Sequence, residues 1–161
     1  MKAFIFIAIL FTSHPSFSQL KVTLRCPAFD IDLLEGNVNK VFPQFTPGQI
    51  KEVFPCFTEE VKKTDSTACA GVFIKDQGLL FYTDRDYIEV RDNYHGKMEP
   101  AVMGAARGSL FKYLGNPKIK DVSWDAFQTK YGTLIIYYNT SGKINKLQMS
   151  SLGTDSMKLC D

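Results

Sequence analysis

The stretch Thr133–Met149, TLIIYYNTSGKINKLQM, decides the fold. Thr133 to Tyr138 are β-branched, aliphatic and aromatic residues, the types that fit a pleated surface. Asn139-Thr140-Ser141-Gly142 then supplies a hairpin loop, and Lys143 to Met149 form the return strand. Within that strand Leu147 and Met149 alternate with Ile144, Lys146 and Gln148. Successive strand residues point to opposite faces. The hairpin therefore has one apolar face that something must cover.

Working towards the N-terminus, Ser123 to Lys130 is a further extended stretch. Before it, Pro100 opens a helical stripe at Val102, Met103, Ala106, Leu110 and Leu114, which Gly115-Asn116-Pro117 closes. The same order occurs earlier in the chain. Thr46-Pro47-Gly48-Gln49 has the residues of a capping box, with Pro at the first helical position. Ile50, Val53 and Phe54 supply that helix with an apolar face, and Pro55 ends it. Extended stretches follow at Cys69 to Lys75, Leu79 to Thr83 and Tyr87 to Arg91, with Asp76-Gln77-Gly78 as a turn. These two units, 46–91 and 100–150, predict an α+β fold. Its expected form is a tandem repeat of a helix followed by a three-strand meander, with the helices on one face of an antiparallel sheet. Lys21 to Val41 precedes both units and predicts an additional strand or hairpin around Glu35-Gly36-Asn37.

The chain has 161 residues, 45% hydrophobic, 22% charged and 13% aromatic, which suits one packed domain. Its 19 basic and 17 acidic residues leave a net charge of +2, too even to imply nucleic-acid or membrane-surface binding. Met1-Lys2, the apolar run Ala3 to Phe11 and the small residues Ser16 and Ser18 before Gln19 read as a signal peptide over 1–18. Residues 19–161 are then a single exported domain, periplasmic or secreted. No apolar run approaches the ~20 residues that cross a bilayer, so no stable membrane insertion is expected.

Cys26, Cys56, Cys69 and Cys160 all lie in the exported part, so two disulfides are expected, with three possible connectivities. Cys56–Cys69 would hold the polar segment Thr58 to Ser66, and Cys26–Cys160 would join the two ends of the chain. That pairing is the expectation. No Cys-x-x-Cys occurs, and His95 is the only histidine after the leader, so neither a metal nor a cofactor is expected.

Phe111-Lys112-Tyr113-Leu114-Gly115-Asn116-Pro117, then Trp124 to Gly132, then Leu134 to Asn139 with Gly142-Lys143-Ile144, form a recognisable pattern. It resembles the helix, Leu-Gly-x-Pro turn and strand meander of the BamE/SmpA outer-membrane-assembly lipoproteins. Doubling the unit is similar to the β-lactamase-inhibitor-protein fold. There a helix opening resembles Phe45-Thr46-Pro47-Gly48-Gln49-Ile50 and is followed by cysteines spaced like Cys56 and Cys69. The chain lacks a cysteine at the cleavage point and an internal cysteine pair in its second unit, so lipid anchoring and lactamase inhibition do not carry over. The resemblance implies a non-catalytic, protein-binding fold of the bacterial envelope, of inhibitor, immunity or assembly-factor type.

Catalytic signatures are few. No Gly-x-Ser-x-Gly elbow occurs, Gly104 to Gly108 lacks the lysine of a phosphate loop, and His95 falls in a polar loop. The carboxylate pairs Asp84/Asp86 and Asp121/Asp125 leave one alternative, a small secreted hydrolase working through acidic residues. Asn139-Thr140-Ser141 matches an N-glycosylation acceptor. The triplets beginning at Asp65 and Asp155 resemble the O-glycosylation site of some exported bacterial proteins, with Ser66 and Ser156 as acceptors.

The sheet carries the sharpest surface expectation. If helices cover the face of Ile88, Val90 and Leu147, the opposite face displays Tyr87, Glu89, Arg91, Lys146 and Gln148. Tyr137 or Tyr138 joins them. Tyrosine and arginine are enriched at binding hot spots, so this face is expected to meet another protein.

Overall fold

The computed structural model describes residues 24–64 and 69–160. The expected leader, its cleavage point before Gln19, and Ser66 lie outside them. The elements are β1 (Asp30–Asp32), β2 (Asn37–Val38), α1 (Pro47–Val53), β3 (Glu59–Val61), β4 (Gly71–Ile74), a 3-10 turn (Lys75–Gln77), β5 (Leu79–Tyr82) and β6 (Tyr87–Arg91). They continue with β7 (Lys97–Glu99), α2 (Phe111–Leu114), β8 (Ile119–Lys120), β9 (Trp124–Gln128), β10 (Thr133–Tyr138) and β11 (Ile144–Ser150).

Eight strands form one antiparallel sheet in the order β3-β4-β5-β6-β11-β10-β9-β8. It consists of two four-strand meanders whose last strands meet at the centre, with Val90 opposite Leu147 and Glu89 opposite Gln148. The hairpin loop Asn139–Gly142 joins β10 and β11 as expected, and Asn139 Oδ1 accepts from the Ser141 and Lys143 amides. A register shift between Tyr137 and Tyr138 leaves Asn145 as an extra residue, so Ile144 joins Leu147 and Met149 in the core.

A second, three-strand sheet, β2-β1-β7, lies over the core. Its strands β1 and β7 run parallel. Ile31, Val38 and Met98 point into the same core cluster as Val72, Phe81, Ile88, Val90, Leu134, Ile136 and Leu147. Helix α1 adds Ile50 and Phe54. Its capping box is formed: the Gln49 amide donates to Thr46 Oγ1, and Gln49 Oε1 accepts from the Thr46 amide at 2.9 Å.

The α+β expectation is corrected. The protein is mostly β, with helices of seven and four residues, and it is not a tandem repeat of helix and three-strand meander. The stripe at 102–114 fails as a helix because Gly104 and Gly108 adopt positive φ, at 75° and 88°. The backbone there bonds outward instead, to the β10–β11 hairpin. The Gly104 amide donates to Ile144 O, the Ile144 amide to Ala105 O, and the Arg107 amide to Gly142 O. Only Phe111–Leu114 remains helical. Short strands β3 and β8 extend each meander to four, in segments that the sequence reading leaves as loop and turn.

The disulfide pairing is corrected as well. Cys26 joins Cys56 and Cys69 joins Cys160, with Cα separations of 5.3 and 6.1 Å. The sheet itself is the reason. Cys26 and Cys56 pack against the apolar core beside α1. Cys160 lies on the other face, where its amide donates to the Tyr87 hydroxyl. Cys69, which leads into β4, is held there by Asp84, whose Oδ1 accepts from the Ala70 amide. Cys56 and Cys69 are therefore separated by the sheet. Two disulfides fit an oxidising, extracytoplasmic location. Among the described residues no helix is long and apolar enough to cross a membrane.

Candidate functional site

Strand alternation places Tyr87, Glu89 and Arg91 of β6, Lys146 and Gln148 of β11, and Tyr137 of β10 on the sheet face away from the core. Six of the seven residues singled out from the sequence therefore share one face. Tyr138 does not: it belongs to the core, where its hydroxyl donates to Asp125 Oδ2 at 2.7 Å.

The expectation that this face stands open is corrected at its centre. Tyr87 is 0% exposed, Glu89 5% and Gln148 1%. Part of the cover is the C-terminal tail, fastened by Cys69–Cys160 and by the Cys160 amide on the Tyr87 hydroxyl at 3.2 Å. The Tyr87 ring also stacks on Tyr82, with centroids 4.5 Å apart, and Tyr82 in turn meets Phe73. Burial pushes the Tyr87 hydroxyl pKa well above its ordinary value.

Around Glu89 the polar side chains form one connected group. Its Oε1 accepts from Arg91 Nε at 2.7 Å, and its Oε2 accepts from Gln148 Nε2 at 2.8 Å. Gln148 Oε1 accepts from the Tyr137 hydroxyl at 2.8 Å, so the glutamine amide is fixed by a donor and an acceptor. Lys146 Nζ stands 3.9 Å from Glu89 Oε2 and 3.9 Å from the Tyr137 ring centroid. The Glu89 bond raises the Arg91 pKa above its ordinary value, and burial pushes the Tyr137 hydroxyl up to about 12. What reaches solvent is the Arg91 side chain, half exposed, and the Lys146 side chain, one-third exposed, with Lys146 between Arg91 and the Tyr137 ring on which it lies. Glu89, Arg91, Asp92, Asn145 and Lys146 border a shallow depression of about 300 Å³.

Of the carboxylate pairs, Asp84, Asp121 and Asp125 hold structural hydrogen bonds. Asp125 is fully buried; it accepts from Arg107 Nε, Arg107 Nη2 and the Tyr138 hydroxyl. Arg107 also donates to Val122 O and Asp121 O, so this group ties the 104–107 segment to the β8–β9 turn. The sequence reading missed that role because Arg107 sits inside the expected helix. Asp84 holds the Ala70 amide. Ligand atoms of Cys69, Asp84 and Cys160 lie together, but both sulfurs are already bonded to each other and do not offer a metal site in this state.

A second depression lies beside Tyr137. Ile119, Trp124, Ala126, Ile135 and Tyr137 form its floor on β8, β9 and β10, and Thr154, Met157 and Leu159 of the tail form its wall. It encloses about 340 Å³. Nothing in the sequence signals it, because tail and strands meet only in the folded chain.

Comparison with protein-family models, curated proteins and solved structures found no match.

Proposed function

We propose that this chain is an exported, non-catalytic protein-recognition module, periplasmic or secreted, which engages its partner through Arg91, Lys146 and Tyr137. One observation carries the reading. Glu89 is buried beneath two cations, bonded to Arg91 Nε at 2.7 Å and 3.9 Å from Lys146 Nζ, on the two central strands of the sheet. Preorganised long side chains lose little further freedom on binding, and arginine with tyrosine is a favoured hot-spot pairing. Two cations over one buried carboxylate, beside an aromatic ring, suit an acidic side chain of the partner. The engagement of Asp125 by Arg107 and Tyr138 favours this reading over a hydrolase.

The test is cross-linked capture from envelope extract by the exported protein and by an Arg91→Ala/Lys146→Ala double variant. The partner held by the parent should bind the variant about 30-fold more weakly or worse, the loss that hot-spot residues of about 2 kcal/mol produce. Its affinity for the parent should fall as salt is raised. Equal capture by parent and variant refutes the assignment.

A further inference from the structure

We propose that Ser156, in the C-terminal tail, is an acceptor of O-linked glycosylation, with Asp155 and Met157 completing the recognised triplet. The site goes beyond the protein-recognition reading and does not rest on it.

The sequence offers three candidate acceptors, Asn139, Ser66 and Ser156, and Ser66 lies outside the described residues. Asn139 is exposed, but its side chain closes the hairpin loop: Oδ1 accepts from the Ser141 and Lys143 amides, each at 3.0 Å. A transferase that reorients this amide has to open the loop. Ser156 has no such task. It is exposed, as is Asp155, and both stand in a turn of the tail. The Gly153 carbonyl closes that turn by accepting from the Ser156 and Met157 amides at 3.0 and 3.1 Å. Met157 is half-buried on the wall of the depression beside Tyr137, and the Cys69–Cys160 bridge fixes the chain three residues further on. The triplet is therefore anchored at its last residue and presented to solvent at its first two.

Modification there displaces little. The Ser156 hydroxyl donates to Gly153 O at 3.2 Å, an exposed hydrogen bond whose acceptor water can satisfy instead. Asp155 faces Lys118 Nζ at 2.8 Å, with side chains 84% and 44% exposed. A pair that exposed contributes little stability, so a cation of the transferase can take the place of Lys118. Space is available as well. Lys118 directly precedes β8, the last strand of the eight-strand sheet, and among the described residues no further strand pairs beyond it. A bulky polar glycan suits such a surface of an exported chain. The step is a substitution at the sugar. Ser156 Oγ attacks the anomeric carbon of a lipid-diphosphate-linked oligosaccharide, and the new C–O bond forms as the bond to the diphosphate breaks. The diphosphate leaves with the electron pair, and a base of the transferase takes the hydroxyl proton.

The test is mass spectrometry of the full chain as its own host exports it, with the acceptor located by electron-transfer fragmentation of the tail peptide. That peptide should be heavier than its sequence by whole sugar residues, all carried on Ser156. Ser156→Ala should lose the added mass completely and Ser156→Thr, which restores a hydroxyl, should keep it. Asp155→Asn should lose most of it. Asp155 and Ser156 are exposed, so all three variants should unfold at the parent's urea midpoint. The measurement on the parent peptide stands whether or not a variant folds. An unmodified Ser156 in the exported protein overturns the proposal. So does a tail mass that survives Ser156→Ala, full modification of Asp155→Asn, or sugar on Asn139 in place of Ser156.

Discussion

Replacing Tyr87 by Ala removes a fully buried ring that stacks on Tyr82 and a hydroxyl that receives the Cys160 amide. Truncating a large buried aromatic side chain costs about 3–5 kcal/mol, because both the transfer term and the cavity count. The hydrogen bond contributes about 1 kcal/mol of that loss, isolated by Tyr87→Phe, which keeps the ring. Tyr87→Ala should therefore cost about 4 kcal/mol and Tyr87→Phe about 1 kcal/mol. Ile88→Ala, on the opposite face and buried in the core, should cost about 2–5 kcal/mol. Urea midpoints by circular dichroism, measured without reductant, give all three values. A reading in which this face is solvent-exposed expects Tyr87→Ala to be nearly silent, within about 0.5 kcal/mol. If that is observed while Ile88→Ala costs its full amount, the tail does not lie on Tyr87 and the burial of the second face is refuted.

Non-reducing peptide mapping should yield Cys26–Cys56 and Cys69–Cys160 peptides; a Cys56–Cys69 peptide would contradict the separation of those residues by the sheet. Arg107→Ala leaves the fully buried Asp125 with Tyr138 as its remaining side-chain donor and should cost about 3 kcal/mol in urea titrations; an unchanged midpoint would show that the pair is solvated. Gly132→Ala should destabilise by about 2 kcal/mol or more on the same assay, because φ there is 141° and an added Cβ would lie 2.3 Å from Ser150 O; a neutral effect would mean the β9–β10 turn relaxes freely. Stability should fall between pH 10 and 12: burial raises the Tyr137 hydroxyl to about 12, so the unfolded chain ionises first, and the stabilisation is complete below pH 10. A Tyr137→Phe variant that loses as much stability as the parent between pH 10 and 12 would refute this.

Strand positions were legible because they depend on near neighbours. Tyr87–Arg91 and Thr133–Tyr138 form as read, and the Thr46/Gln49 capping box closes within four residues. Alternation along β6 and β11 also identified which residues share a face, since strand parity is a backbone property. The 102–114 stripe had the right period for a helix, yet Gly104 and Gly108 could take left-handed conformations, and the hairpin at 142–144 offered their neighbours better hydrogen bonds. That competition involves residues about forty positions apart and leaves no trace in the local pattern. The same holds for the cysteines. Even number and compartment followed from composition, whereas pairing depended on which side of an eight-strand sheet each residue reached. Parity could say that Tyr87, Glu89 and Gln148 point away from the core, but not that they are buried. Exposure is set by what packs on a face, here in part a tail more than sixty residues beyond Tyr87, brought back by a disulfide and one hydrogen bond.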